Sequence, residues 1–184
     1  YALNQNGLYD GVNVTLNYDI AFNNMAAAFQ GGVGDYVTLF EPTASDFVAN
    51  GHGHLMGSVG LEAGEVPFTA FMATSSYLNN NPNKVKAFLR AVYKGYTFLT
   101  TAPVSDVVDA LLPSFEGTSR EHLEFSINSY RDIDAWVSTP VMSETAYNRL
   151  VDIMINAGEL TESVAFSQVV DNSFATEVML ELIA

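Results

Sequence analysis

The sequence predicts an α/β fold, with a mostly parallel sheet and flanking helices, followed by a region that is nearly all helix. Strand-like and helix-like segments alternate over residues 8–66, which is the order typical of a parallel sheet. From residue 81 onward the apolar residues recur at helical spacing instead. This change of period near Pro67 predicts the main boundary of the chain, between residues 1–66 and residues 67–184.

The first part of the chain supplies the predicted sheet. A short helical end precedes Gly7, and residues 12–18 alternate apolar and polar side chains as a half-buried strand does. Asn23 can cap a helix that stops at Gly31. The remaining predicted elements are a strand at 36–40, a helix at 43–49 behind Pro42, and strands at 55–59 and 68–73.

The second part is predicted to be helical. An Asn-Pro pair at residues 81–82 starts a helix whose apolar stripe runs from Val85 to Leu99. Thr118 and Glu121 form a capping box for the helix that carries Leu123, Ile127 and Tyr130. Three further helices are predicted. The first covers residues 107–112, the second is capped by Ser143 and ends at Gly158, and the third covers residues 174–183.

Composition excludes several kinds of function. Seven Lys and Arg against 21 Asp and Glu give a formal net charge of −14, which argues against a nucleic-acid partner. The chain has no Cys, so thiolate metal sites and cysteine nucleophiles are excluded. His52 and His54 could share a metal ion, but no further ligand follows at a suitable spacing, and a polar loop is favoured. We therefore assign no metal, no cofactor and no catalytic residue.

Phe40, Glu41, Pro42 and Thr43 form the most informative short stretch. A predicted strand ends there and delivers a carboxylate to the start of a helix. Ligands of open α/β sheets bind at the carboxyl ends of the strands, so Glu41 could accept hydrogen bonds from a ligand. Alternatively, Glu41 only caps its own helix. The sequence leaves both interpretations open.

Gly32 to Pro42 resembles the G-x-V-D-A-A-V-L-W-E-P stretch of substrate-binding proteins of ABC importers, in the branch that serves nitrate, sulfonates, taurine and thiamine-pyrimidine precursors. Asp35, Glu41 and Pro42 match this pattern, and Phe40 replaces the usual Trp. Asn81 to Ala91 is similar to the family's N-P-E-x-V-x-A-F-L-R-A motif. Residues 150–175 look most like the pyrimidine-precursor group.

This resemblance implies the periplasmic-binding-protein fold, in which two α/β lobes enclose a ligand in the cleft between them. Residues 1–66 would then be most of the second lobe. Residues 67–184 would be a hinge strand followed by C-terminal helices that return to the first lobe. On this interpretation the chain is a C-terminal portion, and its partners include the missing N-terminal half of the same protein.

The resemblance also implies a function: an extracytoplasmic solute receptor, either periplasmic or a cell-surface lipoprotein, without enzymatic activity. It would deliver a small molecule to an ABC permease in the membrane. The best match is a thiamine-related aminopyrimidine, and the alternative is a receptor for sulfonate, taurine or nitrate. A synthase-like enzyme of the same superfamily is a further alternative, but that branch carries a Cys-rich iron motif that this chain lacks.

The predicted ligand site collects residues that follow the strands of the second lobe. Two carboxylates flanked by two aromatic rings suit a flat ligand that carries N–H donors, because rings stack and carboxylates accept. The predicted site residues are Asp19, Phe22, Phe40, Glu41, Thr43 and, at the hinge, Phe68.

Overall fold

The computed structural model describes residues 1–183, and these residues form a set of helices joined by irregular segments. The α-helices are α1 (Ala2–Gln5), α2 (Met25–Gln30), α3 (Thr43–Ala49), α4 (Val59–Ala63), α5 (Ser75–Asn80), α6 (Pro82–Thr101), α7 (Val104–Leu111), α8 (Arg120–Asp132), α9 (Glu144–Asn156), α10 (Phe166–Val169) and α11 (Ser173–Ile183). Short 3₁₀ turns cover Phe22–Asn24 and Leu112–Ser114.

The prediction of a mostly parallel sheet is wrong for the described residues. Across residues 1–183 the one β-type pairing is an isolated bridge between Asp10 and Val14. The segments predicted as strands are irregular, except that Val59 begins α4. Side-chain alternation predicts which residues share a face, but a strand forms only where a neighbouring segment takes up its backbone hydrogen bonds. Such neighbours are missing for these segments within the described chain.

The irregular segments keep their apolar side chains at the surface. Met72 is 94% exposed, and the large apolar residues Tyr18, Tyr36, Leu55, Phe68 and Phe71 are also exposed. Exposed apolar area of this extent is unusual in a monomeric soluble protein. It fits the resemblance, in which a further part of the protein completes the sheet.

The predicted helices are largely confirmed. α3 has the predicted limits, and α6 contains the whole predicted apolar stripe. Ser143 caps α9 as predicted, because its Oγ accepts a hydrogen bond from the Ala146 N–H at 3.2 Å. The cap of α8 is Ser119 rather than Thr118, and its Oγ accepts from the His122 N–H at 3.1 Å.

The chain divides into two compact units, each described by itself. The α8 unit contains residues 2–63 and 103–135, and the α6 unit contains Tyr1, residues 64–102 and the chain from Trp136 onward. The lobe boundary predicted at residues 66 and 67 stays a prediction. None of the helices within residues 1–183 has the length and apolar character that crossing a membrane requires.

The core of the α8 unit lies where α8 packs against α7 and α3. Val107 and Val108 of α7 are buried, as are Leu123 and Ile127 of α8. Where α3 meets α8, the buried residues are polar instead, Ser45 and Ser126. A buried hydroxyl has to find a hydrogen-bond partner, so this contact organises the polar groups around it.

In the α6 unit, α11 packs against α6, and the buried apolar residues lie on α9 and α11. Val178 of α11 is completely buried. Two ion pairs at the surface join the helices, Lys86 to Glu177 and Arg90 to Glu181. The partners lie four residues apart on each helix, so both pairs follow the same line of contact.

Candidate ligand-binding site

Glu41 lies between the irregular segment 36–40 and α3, and its side chain turns back onto that helix. Its Oε2 accepts hydrogen bonds from the Ser45 N–H at 3.0 Å and from the Ser45 hydroxyl at 2.5 Å. The first turn of a helix has backbone N–H groups without intrahelical partners, and Glu41 satisfies one of them. Glu41 therefore does cap α3, which was one of the two interpretations of the sequence.

α8 contacts the same glutamate from a second direction. The Glu41 N–H donates to the Tyr130 hydroxyl at 3.1 Å, and the Ser126 Oγ lies 3.3 Å from Glu41 Oε2. Ser126 is 5% exposed, and its hydroxyl also lies 2.8 Å from the His122 carbonyl oxygen. Glu41 is thus held by its main chain and by its side chain. Its second carboxylate oxygen, Oε1, accepts no hydrogen bond from any residue that the structure describes.

Two aromatic residues of the predicted site contact each other, and one of them, Phe40, directly precedes Glu41 in sequence. The ring centroids of Phe22 and Phe40 lie 5.7 Å apart, and the ring planes are tilted by 55°. Phe22 is 71% exposed and Phe40 is 48% exposed. The structure therefore brings together two of the predicted site residues, Phe22 and Phe40, and a third, Glu41, directly follows Phe40 in sequence.

The hydrogen bonds and the ring contact described above do not involve Asp19 or Thr43. Asp19 is exposed, and its backbone N–H donates to the Asn17 side-chain oxygen at 2.9 Å. Thr43 is the exposed first residue of α3. Phe68 belongs to the α6 unit and is exposed there. The roles of these three residues in a ligand site stay predictions.

The sequence analysis did not predict three residues that contact Glu41: Ser45, Ser126 and Tyr130. The signal for Ser126 was present, because it lies directly before Ile127 and three residues after Leu123 in the apolar stripe of α8. A polar residue in a buried stripe indicates a hydrogen-bonded contact across a helix interface. Its partner could not be found in the sequence, since Glu41 is 85 residues away.

A pocket of about 240 Å³ lies beside this group, in the groove between α3 and α8. It is lined by Ser45, Val48, Ala49, Glu121, His122 and Phe125. His122 forms an ion pair with Asp46 across the same two helices when it is protonated. These contacts hold α3 against α8. Because Glu41 lies just before α3, they also restrict the position of its backbone.

The histidine pair predicted as a polar loop shows no arrangement typical of a metal site. His52 Nε2 lies 3.0 Å from the Gln30 side-chain nitrogen, and the His52 ring packs edge-on against Phe47. Within residues 1–183 no group of three or more His, Asp or Glu side chains is placed to hold a metal ion.

Comparison with known proteins relates the sequence to a family. Residues 22–105, which include Phe22, Phe40, Glu41 and Ser45, match the family described as "NMT1/THI5 like". Over 181 residues the chain is 36% identical to "Putative binding protein YtlA" of Bacillus subtilis (strain 168), an alignment that covers 98% of the chain and 54% of the relative. The chain thus spans about half the length of the curated relative that it matches. No solved structure matches the chain. The chain is therefore similar to the NMT1/THI5-like family over residues 22–105 and to a protein named as a binding protein over nearly its whole length.

Proposed function

We propose that the protein containing this chain is a solute receptor of an ABC importer, without enzymatic activity, and that it binds a thiamine-related aminopyrimidine at Glu41. The observation that carries the ligand assignment is that Glu41, whose carboxylate is held through Oε2, directly follows Phe40 of the exposed Phe22 and Phe40 ring pair. The family match and the binding-protein name of the relative support the receptor role.

The chemistry of these groups favours a flat ligand with N–H donors. Phe22, which is 71% exposed and has Phe40 beside it, can stack on an aromatic ring. Glu41 Oε1 can accept a hydrogen bond from an amino group on that ring, since Oε2 is already used within the protein. An aminopyrimidine combines both features in one small molecule.

An anionic ligand is disfavoured at this place. The chain contains no Lys or Arg before Lys84, so the whole Phe22 to Glu41 region lacks a basic side chain of its own. The α8 unit contains two arginines, Arg120, which forms an ion pair with Asp109, and Arg131, which follows Tyr130 on α8. Nitrate and sulfonates are recognised by positively charged donors, so the alternative receptor would need Arg131 or donors from elsewhere in the protein.

The family relationship supports an extracytoplasmic place for the receptor, either in the periplasm or as a cell-surface lipoprotein, with an ABC permease as its partner. The synthase-like enzyme stays the second alternative within the family. The lack of Cys in these 184 residues argues against the Cys-rich iron motif of that branch.

The test is the substitution Glu41→Gln in the full-length protein, titrated calorimetrically with 4-amino-2-methylpyrimidine. Hydrogen bonds to a charged acceptor are worth about 1.5–3 kcal/mol, so affinity should fall about ten- to hundred-fold. Glu116→Gln serves as the matched control, because Glu116 is exposed and lies outside the contact group. The analogue 4-methoxy-2-methylpyrimidine, which lacks the N–H donor, should bind weakly to the parent and to both variants.

The melting temperature of each variant separates binding from capping. Unchanged affinity with a lowered melting temperature would show that Glu41 only caps α3. If the parent protein does not bind the aminopyrimidine but binds nitrate or taurine, the alternative receptor function is supported instead. Turnover of the aminopyrimidine or formation of a pyrimidine product would favour the enzyme.

A further inference from the structure

Glu41 receives support from a helix that is distant in sequence. Tyr130 and Ser126 lie one turn apart on α8, and they contact the backbone N–H and the Oε2 of Glu41 respectively. α8 is anchored in the core of its unit by the buried residues Leu123 and Ile127. The contacts therefore connect Glu41 to the core of the α8 unit.

This support has a consequence for the side chain of Glu41. A glutamate on an exposed loop samples several rotamers, and binding a ligand then requires that freedom to be lost. The Ser45 hydroxyl donates to Oε2, and the Ser126 Oγ lies 3.3 Å from the same oxygen, so contacts from two helices restrict the carboxylate before a ligand arrives. The Ser126 hydroxyl carries one hydrogen, and its shortest contact is the 2.8 Å one to the His122 carbonyl oxygen, which holds the hydroxyl in place on α8. The Ser126 Oγ also lies 3.3 Å from the Ser45 Oγ, so it contacts both partners of the Ser45 to Glu41 hydrogen bond.

We propose that Ser126 and Tyr130 are positioning residues of the ligand site. They hold Glu41 so that Oε2 is used within the protein and Oε1 stays available to the amino group of the ligand. This inference rests on the proposed function, because it assigns Glu41 to ligand binding. It adds that the affinity of the site depends on α8, which supplies no group to the ligand itself.

The first experiment measures Ser126→Ala and Tyr130→Phe in the full-length protein by titration with 4-amino-2-methylpyrimidine. Each substitution removes one hydroxyl with little change of shape, and we expect each to weaken binding about 2- to 10-fold. Ser129→Ala is the matched control on the same helix, because the Ser129 side chain makes no hydrogen bond to a described residue. It should leave the affinity unchanged.

The second experiment combines each substitution with Glu41→Gln. If Ser126 and Tyr130 act through Glu41, their effects on affinity should largely disappear in the Glu41→Gln background, since interacting residues are not additive. Fully additive losses would overturn the inference, because they would show that α8 contributes to binding by another route. Unchanged affinity in both single variants, with Glu41→Gln weakened, would overturn it as well.

A third measurement needs no ligand, so it separates the inference from the proposed function. The carboxylate ¹³C signal of Glu41 in the NMR spectrum should shift or sharpen in Ser126→Ala and stay unchanged in Ser129→Ala. If the parent does not bind the aminopyrimidine, the proposed ligand is wrong, and the Glu41 signal is then the test of whether Ser126 positions Glu41. A Glu41 signal that is the same in the parent and in Ser126→Ala would overturn the positioning role.

Discussion

Helix α11 and the segment 68–73 belong to the same compact unit and are similarly apolar, but they end up in opposite surroundings. Val178 of α11 is completely buried against α6, whereas Met72 is almost fully exposed. The segment touches α6 through the edge of one ring, with the Phe71 and Phe88 centroids 4.8 Å apart. Apolar composition therefore does not decide which region enters the core.

The difference lies in where each region finds its backbone hydrogen bonds. A helix forms them within itself, so α11 needs only one apolar partner surface, which α6 provides. A strand needs neighbouring strands on its edges, and the described residues provide none for the segment 68–73. A helix of this chain thus needs only an apolar surface to pack against, while a strand-like segment needs neighbouring strands for its backbone hydrogen bonds.

The largest expected effect tests the buried side of this comparison. Val178→Asp places a charge at a completely buried position and should lower the free energy of unfolding by about 4 kcal/mol or more. Leu180→Asp introduces the same charge two residues further along α11, where the side chain is exposed, and should cost within about 0.5 kcal/mol. Urea unfolding followed by circular dichroism measures both. Equal losses would contradict the packing of α11 described above.

An intermediate effect tests the exposed side. In the isolated 184-residue chain, Met72→Asp should change the free energy of unfolding by no more than about 0.5 kcal/mol. In the full-length protein we expect a loss of about 2 kcal/mol or more, because added strands would bury this position. The same unfolding measurement in both proteins is required. Identical effects would show that residues 68–73 stay at the surface in the complete protein.

The smallest effect concerns the start of α11 and its dependence on pH. Asp171 Oδ1 accepts hydrogen bonds from the Ser173 hydroxyl at 2.6 Å and the Ser173 N–H at 2.9 Å. These bonds, the hydroxyl first, hold the pKa of the Asp171 carboxyl below its ordinary value of 3.8. Because the pKa is lower in the folded state, the ionised carboxyl stabilises the protein at pH values above the unfolded-state pKa. This stabilisation is lost as the pH falls through the folded-state pKa.

Asp171→Asn removes this charge while keeping an acceptor oxygen at the same place. The variant should melt slightly below the parent at neutral pH, and the two melting temperatures should converge as the pH falls below about 3.8. Thermal melts at several pH values measure the difference. A gap that stays constant over this range would show that the charge of Asp171 does not contribute.

Much of the helical structure could be predicted from the sequence because its signals are local. The limits of α3 and the Ser143 cap of α9 depend on residues within one turn of the helix end. The capping box at Thr118 was wrong by one position because Ser119, which directly follows it, is an equally good cap. The six-residue helix α5 was missed, because nothing was predicted for residues 74–80, between the strand predicted at 68–73 and the helix predicted to start at residues 81–82.

The absence of the predicted sheet from residues 1–183 and half of the candidate site could not be predicted, for the same physical reason. Both depend on contacts between residues that are far apart in sequence. Phe40 and Glu41 were found because the short motif around them is informative by itself. Ser126 and Tyr130 reach Glu41 only after α3 and α8 have packed together. Nothing in the spacing of residues 41 and 126 indicates that contact.

The stretch without Lys or Arg, which runs to residue 83, has a consequence for how quickly a solute is captured. Acidic residues in this stretch have no basic neighbour along the chain, so they generate a negative potential that extends into the solvent. At physiological ionic strength this potential decays over about 8 Å, so it acts on a solute just before contact. For the solute receptor proposed above, such a potential would favour the approach of cationic solutes over anionic ones before any hydrogen bond forms.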